Sequence, residues 1–279
     1  MAVTLDMMEY ATDILAQVAY LSSDFDPASW DLLDEDCAGI GDWVDGDTGD
    51  AVSRVNPAGQ FEFDSRNSAA GDNYALRHRD IGSYPNTFTV EIKLYHDAIG
   101  TQADEDSFAL ECYQVDQNIR IYFCSDGLFI YDTGSGFTEV GTDLVKHGGS
   151  AEWQTWRFVV TFTDVAGEGT CDVYLYDSTH DWEKVGTAIP CSREQASTEG
   201  LTRLIQHGYA NNNRITHIDY LKIVTGLQPP NLQCFSEAAI KQQGSYSLKV
   251  QALTTGSLND TLTRTISPTI DLTGYSKIK

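Results

Sequence analysis

Residues 155–177 read "TWRFVVTFTDVAGEGTCDVYLYD", the pattern of two strands joined by a turn. Two runs rich in aromatic and β-branched residues, 155–164 and 170–178, flank the turn signal "AGEG" at 166–169. In the second run Cys171, Val173 and Leu175 fall on one side, and Asp172, Tyr174 and Tyr176 on the other. That period of two belongs to a strand with one buried face. Neither run contains proline, so both can lie inside a sheet.

The same pattern spreads outward over residues 51–226. Strands are expected at "GQFEFDS" (59–65), "TFTVEIKLYHD" (87–97), "SFALECYQV" (107–115), "NIRIYFCSDG" (118–127), "LFIYDT" (128–133) and "THIDYLKIVTG" (216–226), with turns at "DQN" and "TGSG". No helix–strand alternation develops, which argues against an α/β fold and for an all-β sandwich. Alternation sorts the faces. Phe88, Val90, Ile92 and Leu94 point inward, with Glu91, Lys93 and Tyr95 outward; Phe108, Leu110 and Cys112 inward, with Glu111 and Tyr113 outward; Ile119, Ile121 and Phe123 inward, with Arg120 and Tyr122 outward. The expected outer surface is rich in tyrosine and in opposed charges. Such residues pair across strands as ordinary sheet stabilisers. They also suit a glycan face, where rings stack on sugars and Glu, Asp or Arg bind hydroxyls. The residues assigned to that face are Tyr95, Tyr113, Tyr122, Tyr174, Tyr176, Glu111, Arg120 and Asp172.

The chain has 279 residues, 41% of them apolar, and a formal charge of −23. The apolar content supports a packed core. The charge repels nucleic-acid phosphates and anionic membranes, so neither is an expected partner. No apolar run is long enough to span a bilayer, and "MAVTLDMMEY" has no secretory pattern. Six cysteines in this length do not make a disulfide scaffold, and none has zinc spacing. Cys171 and Cys191 flank an expected hairpin and could face each other; Cys112 and Cys124 fall on opposite faces.

Residues 24–50 carry ten acidic side chains and no basic one. Trp30, Leu32, Leu33, Ile40 and Trp43 are expected to anchor this segment. At its tip Asp45, Asp47 and Asp50 surround glycine turns and form the candidate calcium site, although the spacing is not that of an EF-hand. Upstream, "LDMMEYATDILAQVAYLSS" has helical spacing, with Asp6 and Glu9 placed as a capping box. Downstream, "LQPPN" reads as a linker, followed by strands "SYSLKVQA", "DTLTRTI" and "TIDLTG". Three or so strands cannot close a sandwich, so they are expected to pair with residues 51–226 or with a neighbouring subunit. The expected organisation is a helical leader at 1–21, a sandwich at 22–226, and a linker with the first strands of a second β-module at 227–279, the front part of a longer modular protein.

Three segments carry a resemblance. "FDPASW", "TWRFVVTFTDVAGEGTCDVYLYD" and the closing "ITHIDYLKIVTG" resemble concanavalin A-like lectin/glucanase domains of the LamG type, over residues 22–226. The resemblance implies a jelly-roll-like sandwich that commonly binds glycans. The tail resembles the start of a carbohydrate-binding jelly-roll module, and the N-terminal segment resembles leaders of environmental phage structural proteins. The hydrolase members' E-x-D-x-x-E strand is absent, and no G-x-S-x-G, P-loop or H-E-x-x-H occurs. Arg77-His78-Arg79-Asp80 matches a kinase motif by letters only. The expectation is a non-catalytic structural or adhesive component of a virion or surface fibre, outside the cell. Its partners would be glycans or a host surface, sister subunits and copies of itself. The alternatives are the binding portion of a polysaccharide-degrading enzyme and a divergent glycoside hydrolase.

Overall fold

The structure, a computed structural model, describes residues 30–65, 73–102, 107–163, 165, 168–180, 182–194, 199–208 and 214–226 in full, together with the backbone of 232–237 and 247–252. The expected leader helix, "DTLTRTI" and "TIDLTG" lie outside the described residues. Pro27–Pro229 forms one compact unit.

In chain order its strands are β1 (Leu33–Glu35), β2 (Val44–Asp45), β3 (Val52–Val55), β4 (Phe61–Asp64), β5 (Asn73–Asp80), β6 (Thr87–Ala98), β7 (Phe108–Gln114), β8 (Gln117–Cys124), β9 (Gly127–Asp132), β10 (Gly136–Gly141), β11 (Gln154–Phe162), β12 (Gly169–Tyr176), β13 (Glu183–Pro190), β14 (Arg193–Glu194), β15 (Leu201–Gly208) and β16 (Ile215–Thr225). One sheet runs β13-β12-β11-β6-β16-β4-β3, with β1 on β16. The second runs β10-β9-β8-β7-β15-β5-β2, with β14 on β8. Neighbouring strands in both sheets are antiparallel.

The core lies between the sheets, because each strand turns alternate apolar residues the same way. The inward sets read from the sequence on β6, β7, β8 and β12 are all buried in one cluster. Edge-to-face contacts, Phe63–Phe108 at 5.6 Å and Phe123–Trp156 at 5.8 Å, join one sheet to the other. Each buried ring or branched chain of this kind stabilises the fold by about 1.5–3 kcal/mol. A polar seam runs through the same layer. His96 Nδ1 lies 2.9 Å from Thr216 Oγ1, and Thr216 donates to Gln206 Oε1 at 2.6 Å.

Trp30, Leu33 and Trp43 are buried as expected, whereas Ile40 is 40% exposed. Cys112 lies in the main core and Cys124 in a separate outer cluster, on opposite faces as read. Cys171 and Cys191 are both buried in the main core as free thiols, with Cys171 opposite Ile189 in the β12–β13 ladder.

The downstream hairpin is described by itself. β17 (Leu232–Glu237) and β18 (Ser247–Ala252) pair antiparallel, with Cys234 opposite Val250. The expected strand "SYSLKVQA" therefore finds its partner in β17, a strand not read from the sequence.

Candidate functional site

The centre of the second sheet is set by a tight turn. β7 and β8 are joined by Val115 and Asp116, and Asp116 takes the left-handed conformation at φ 60°. Aspartate tolerates that region better than most residues. The turn fixes Gln114 opposite Gln117, and counting back places Glu111 opposite Arg120. On its other side β7 pairs with β15, which places Arg203 opposite Glu111. One outward row then crosses the sheet as His78, Arg203, Glu111, Arg120, Tyr131 and Phe137.

Glu111 is fully buried. Its Oε1 accepts from Arg120 Nε. Its Oε2 accepts from the Tyr113 hydroxyl at 2.5 Å and from Arg203 Nη1 at 3.2 Å. Arg203 Nη1 also donates to the Tyr113 oxygen at 2.9 Å. A carboxylate removed from water costs several kcal/mol, and here two guanidiniums and a phenol offset it. Burial, with the neighbouring Glu111, raises the Tyr113 pKa, and burial pushes Tyr122 up to about 12 against the opposing pull of Arg120. Both phenols stay neutral at ordinary pH; that of Tyr113 donates to Glu111, and that of Tyr122 accepts from Arg120. Burial opposes the charge of Arg120, but Glu111 outweighs it and the pKa rises.

Around this centre three arginines lie over three tyrosines. Arg203 is over Tyr113 at 5.9 Å, Arg120 over Tyr122 at 5.6 Å, and Arg193 over Tyr131 at 5.5 Å. Phe137, 42% exposed, stands edge-on between Tyr122 and Tyr131, 5.1 Å from each. The side chains of Arg120 and Arg203 are 21% and 28% exposed, so the row is open at its cations and at Phe137.

The structure divides the expected glycan-binding residues between two sheets. Glu111, Tyr113, Arg120 and Tyr122 come together on the second sheet. Tyr95, Asp172, Tyr174 and Tyr176 lie on the outer side of the first. Two sheets of a sandwich turn their outer faces away from each other, so the eight do not form one site. Nor are all of them accessible. Tyr113, Tyr122, Tyr174 and Glu111, and with them Glu91, are buried although they point away from the core, because neighbouring rings and guanidiniums cover them. Truncating Tyr122 or Tyr174 therefore removes buried packing and is no surface substitution. Arg203, Tyr131, Phe137 and Arg193 were missed. The alternation of Thr202, Leu204 and Gln206 against Arg203 and Ile205 was the available signal for β15, and it is weak because a glutamine occupies a core position.

Asp45, Asp47 and Asp50 do not gather around a common point. Asp47 Oδ1 accepts from the Ser53 hydroxyl and from Leu76 N, both at 2.7 Å, and Oδ2 accepts from Ser53 N at 2.6 Å. Asp45 caps Asp47 N at 2.8 Å and lies 3.4 Å from Arg77, while Asp50 is exposed. Asp47 is thus a pin between strands. Among the described residues no group of three or more His, Cys, Asp or Glu is placed to hold a metal.

No protein-family model matches the chain, and no curated protein does. Among solved structures it is similar to the GH43 protein BlXynB from Bacillus licheniformis (TM-score 0.41, 12% identity, 69% of this chain and 39% of that one). It is also similar to the Emp46p carbohydrate recognition domain in its metal-free form (0.40, 11%, 67% and 90%). A third is a Lotus tetragonolobus seed lectin (0.41, 6%, 70% and 99%). The chain thus corresponds to well under half of the GH43 protein's length. These names describe those proteins; the two-sheet architecture given above rests on the strand pairing itself.

Proposed function

We propose that this chain is a glycan-binding β-sandwich and that the outer face of its second sheet, centred on Glu111, holds the sugar. The observation that carries this is the aromatic group Tyr122, Phe137 and Tyr131 set beside two partly exposed guanidiniums. Aromatic rings present an apolar face suited to the C–H side of a pyranose, and arginine supplies hydrogen-bond donors for its oxygens. A few polar groups among rings are what orients a small ligand.

The role is binding, not hydrolysis. Retaining hydrolysis needs two carboxyl groups about 5 Å apart, one of them able to give up a proton. Glu111 has both oxygens engaged by Arg120, Tyr113 and Arg203, which makes it a positioning residue for the guanidiniums. Isothermal titration of the full chain against a panel of soluble oligosaccharides tests the reading. At least one should bind, and Phe137→Ala should weaken it tenfold or more with the melting temperature unchanged. Wild-type binding that survives Phe137→Ala and Arg203→Gln alike would place the ligand elsewhere.

A further inference from the structure

The second-sheet row has a charge surplus at its centre that the first-sheet row lacks. On the first sheet the outward row is Lys184, Tyr174, Arg157, Glu91, Lys222 and Asp34. There Arg157 donates to Glu91 twice, with Nε and Nη2 at 2.8 and 2.5 Å from Oε2, while Glu91 Oε1 accepts from Tyr220 at 2.8 Å. Lys184 has Asp172 at 2.7 Å. The faces of the cations are occupied from within: Trp182 lies 4.7 Å and Trp30 6.0 Å from the Arg157 guanidinium, and Trp30 5.7 Å from Lys222.

On the second sheet one carboxylate, Glu111, serves two guanidiniums. Glu111 and Tyr113 engage a single nitrogen on each arginine, and a guanidinium carries five N–H donors. Arg193 adds a third positive charge over Tyr131, and among the described residues no carboxylate pairs with it. The other acidic side chains on these outward rows stand at the margins: Glu139 on the edge strand β10, three strands from Glu111, and Asp80 on β5, two strands away on the other side. In a chain of formal charge −23, the middle of this face is therefore locally positive.

We infer that the sugar held here bears an anionic group, a uronate carboxylate or a sulfate ester, seated between Arg120 and Arg203. This rests on the glycan-binding reading above and names the class of sugar. Guanidinium forks match both oxyanions by paired N–H···O bonds, and such charge-assisted bonds are stronger than those to a neutral hydroxyl. The site selects chemically as well: the net charge of −23 opposes a polyanion in general, and the guanidiniums of this row offset that repulsion locally.

The test uses the full chain and three hexasaccharide probes: neutral cellohexaose, a galacturonate hexamer, and a sulfated heparin hexamer. Titration is run at 50 mM and 500 mM salt. One anionic hexamer should bind at least tenfold more tightly than cellohexaose, and that advantage should shrink at high salt as screening grows. A galacturonate preference identifies the carboxylate source, a heparin preference the sulfate source. Arg203→Gln should remove most of the advantage. If it fails to fold, Arg193→Gln, which breaks no ion pair among the described residues, should still lower anionic affinity severalfold. Cellohexaose binding as tight as the better of the two anionic probes, or an anionic advantage indifferent to salt, overturns the inference and leaves the glycan reading standing. Failure of all three probes to bind overturns both.

Discussion

The two outer faces of the sandwich are built on the same plan and finished differently. Each has a buried glutamate on a central strand, Glu91 on β6 and Glu111 on β7, with arginine directly across the ladder. On the first sheet the plan is closed. Glu91 and Arg157 neutralise each other at 4% exposure apiece, and Trp30 and Trp182 cover the guanidinium. On the second sheet two arginines share one carboxylate, and the rings beside them stay partly open. A buried charge pair is thus no indicator of function by itself. What separates a staple from a binding face is whether the molecule supplies its own cover and counter-charge.

Arg157→Ala should have the largest effect on the contrast between the two faces. It removes the guanidinium that donates twice to Glu91 Oε2 in a buried position, and losing one partner of such a pair costs about 3–5 kcal/mol. Urea denaturation should show that loss, with glycan affinity of the surviving fold unchanged. A shift below about 1 kcal/mol would mean that the first-sheet row is as open as the second.

Next in size is an acid effect in the seam joining the faces. Burial, together with His147 and His217, lowers the His96 pKa from 6.5 to about 3. The folded state holds that ring neutral while the unfolded state protonates near 6.5. Its contribution is therefore present above pH 6.5 and is lost as pH falls toward 3. From pH 7 to pH 4 the loss from this group is about 3 kcal/mol. His96→Gln should flatten the acid limb of the stability profile, and an unchanged limb would remove His96 from the explanation.

Tyr122→Ala is smaller and affects both properties. Tyr122 is 9% exposed and packs with Ala109, Cys124, Phe129 and Tyr131. Truncation should cost about 2 kcal/mol in denaturation and should also weaken glycan binding. Stability loss without any binding loss would make the second face a staple as well. Phe137→Ala has the smallest structural effect, within about 0.5 kcal/mol, because the ring is exposed on edge strand β10. Measured by thermal melting and titration together, it should separate binding from stability more cleanly than any other substitution here.

Alternation alone determined the all-β class, the main strands, and the direction of their side chains, since period two is a local property of an extended chain. Phe88, Val90, Ile92 and Leu94, with Phe108, Leu110, Cys112, Ile119, Ile121 and Phe123, were legible in this way and are all in the core. Edge and mixed strands such as β10 and β15 were not legible; in β15 Gln206 sits in the core through a partner far away in sequence, donating to the Ser107 carbonyl. The phage affinity and the leader helix rested on residues 1–21, which lie outside the described residues. Direction also proved different from exposure. Tyr113 and Tyr174 point outward as alternation requires, yet each is buried, because cover comes from neighbouring strands and loops that a single strand's pattern does not encode. Likewise the sequence put Arg120 near Glu111 through a two-residue turn, whereas Arg203 arrives from 92 residues away. Only strand order could place it there, since a hairpin's register is set by its turn while the neighbour on the other side is chosen by the packing of the whole sheet.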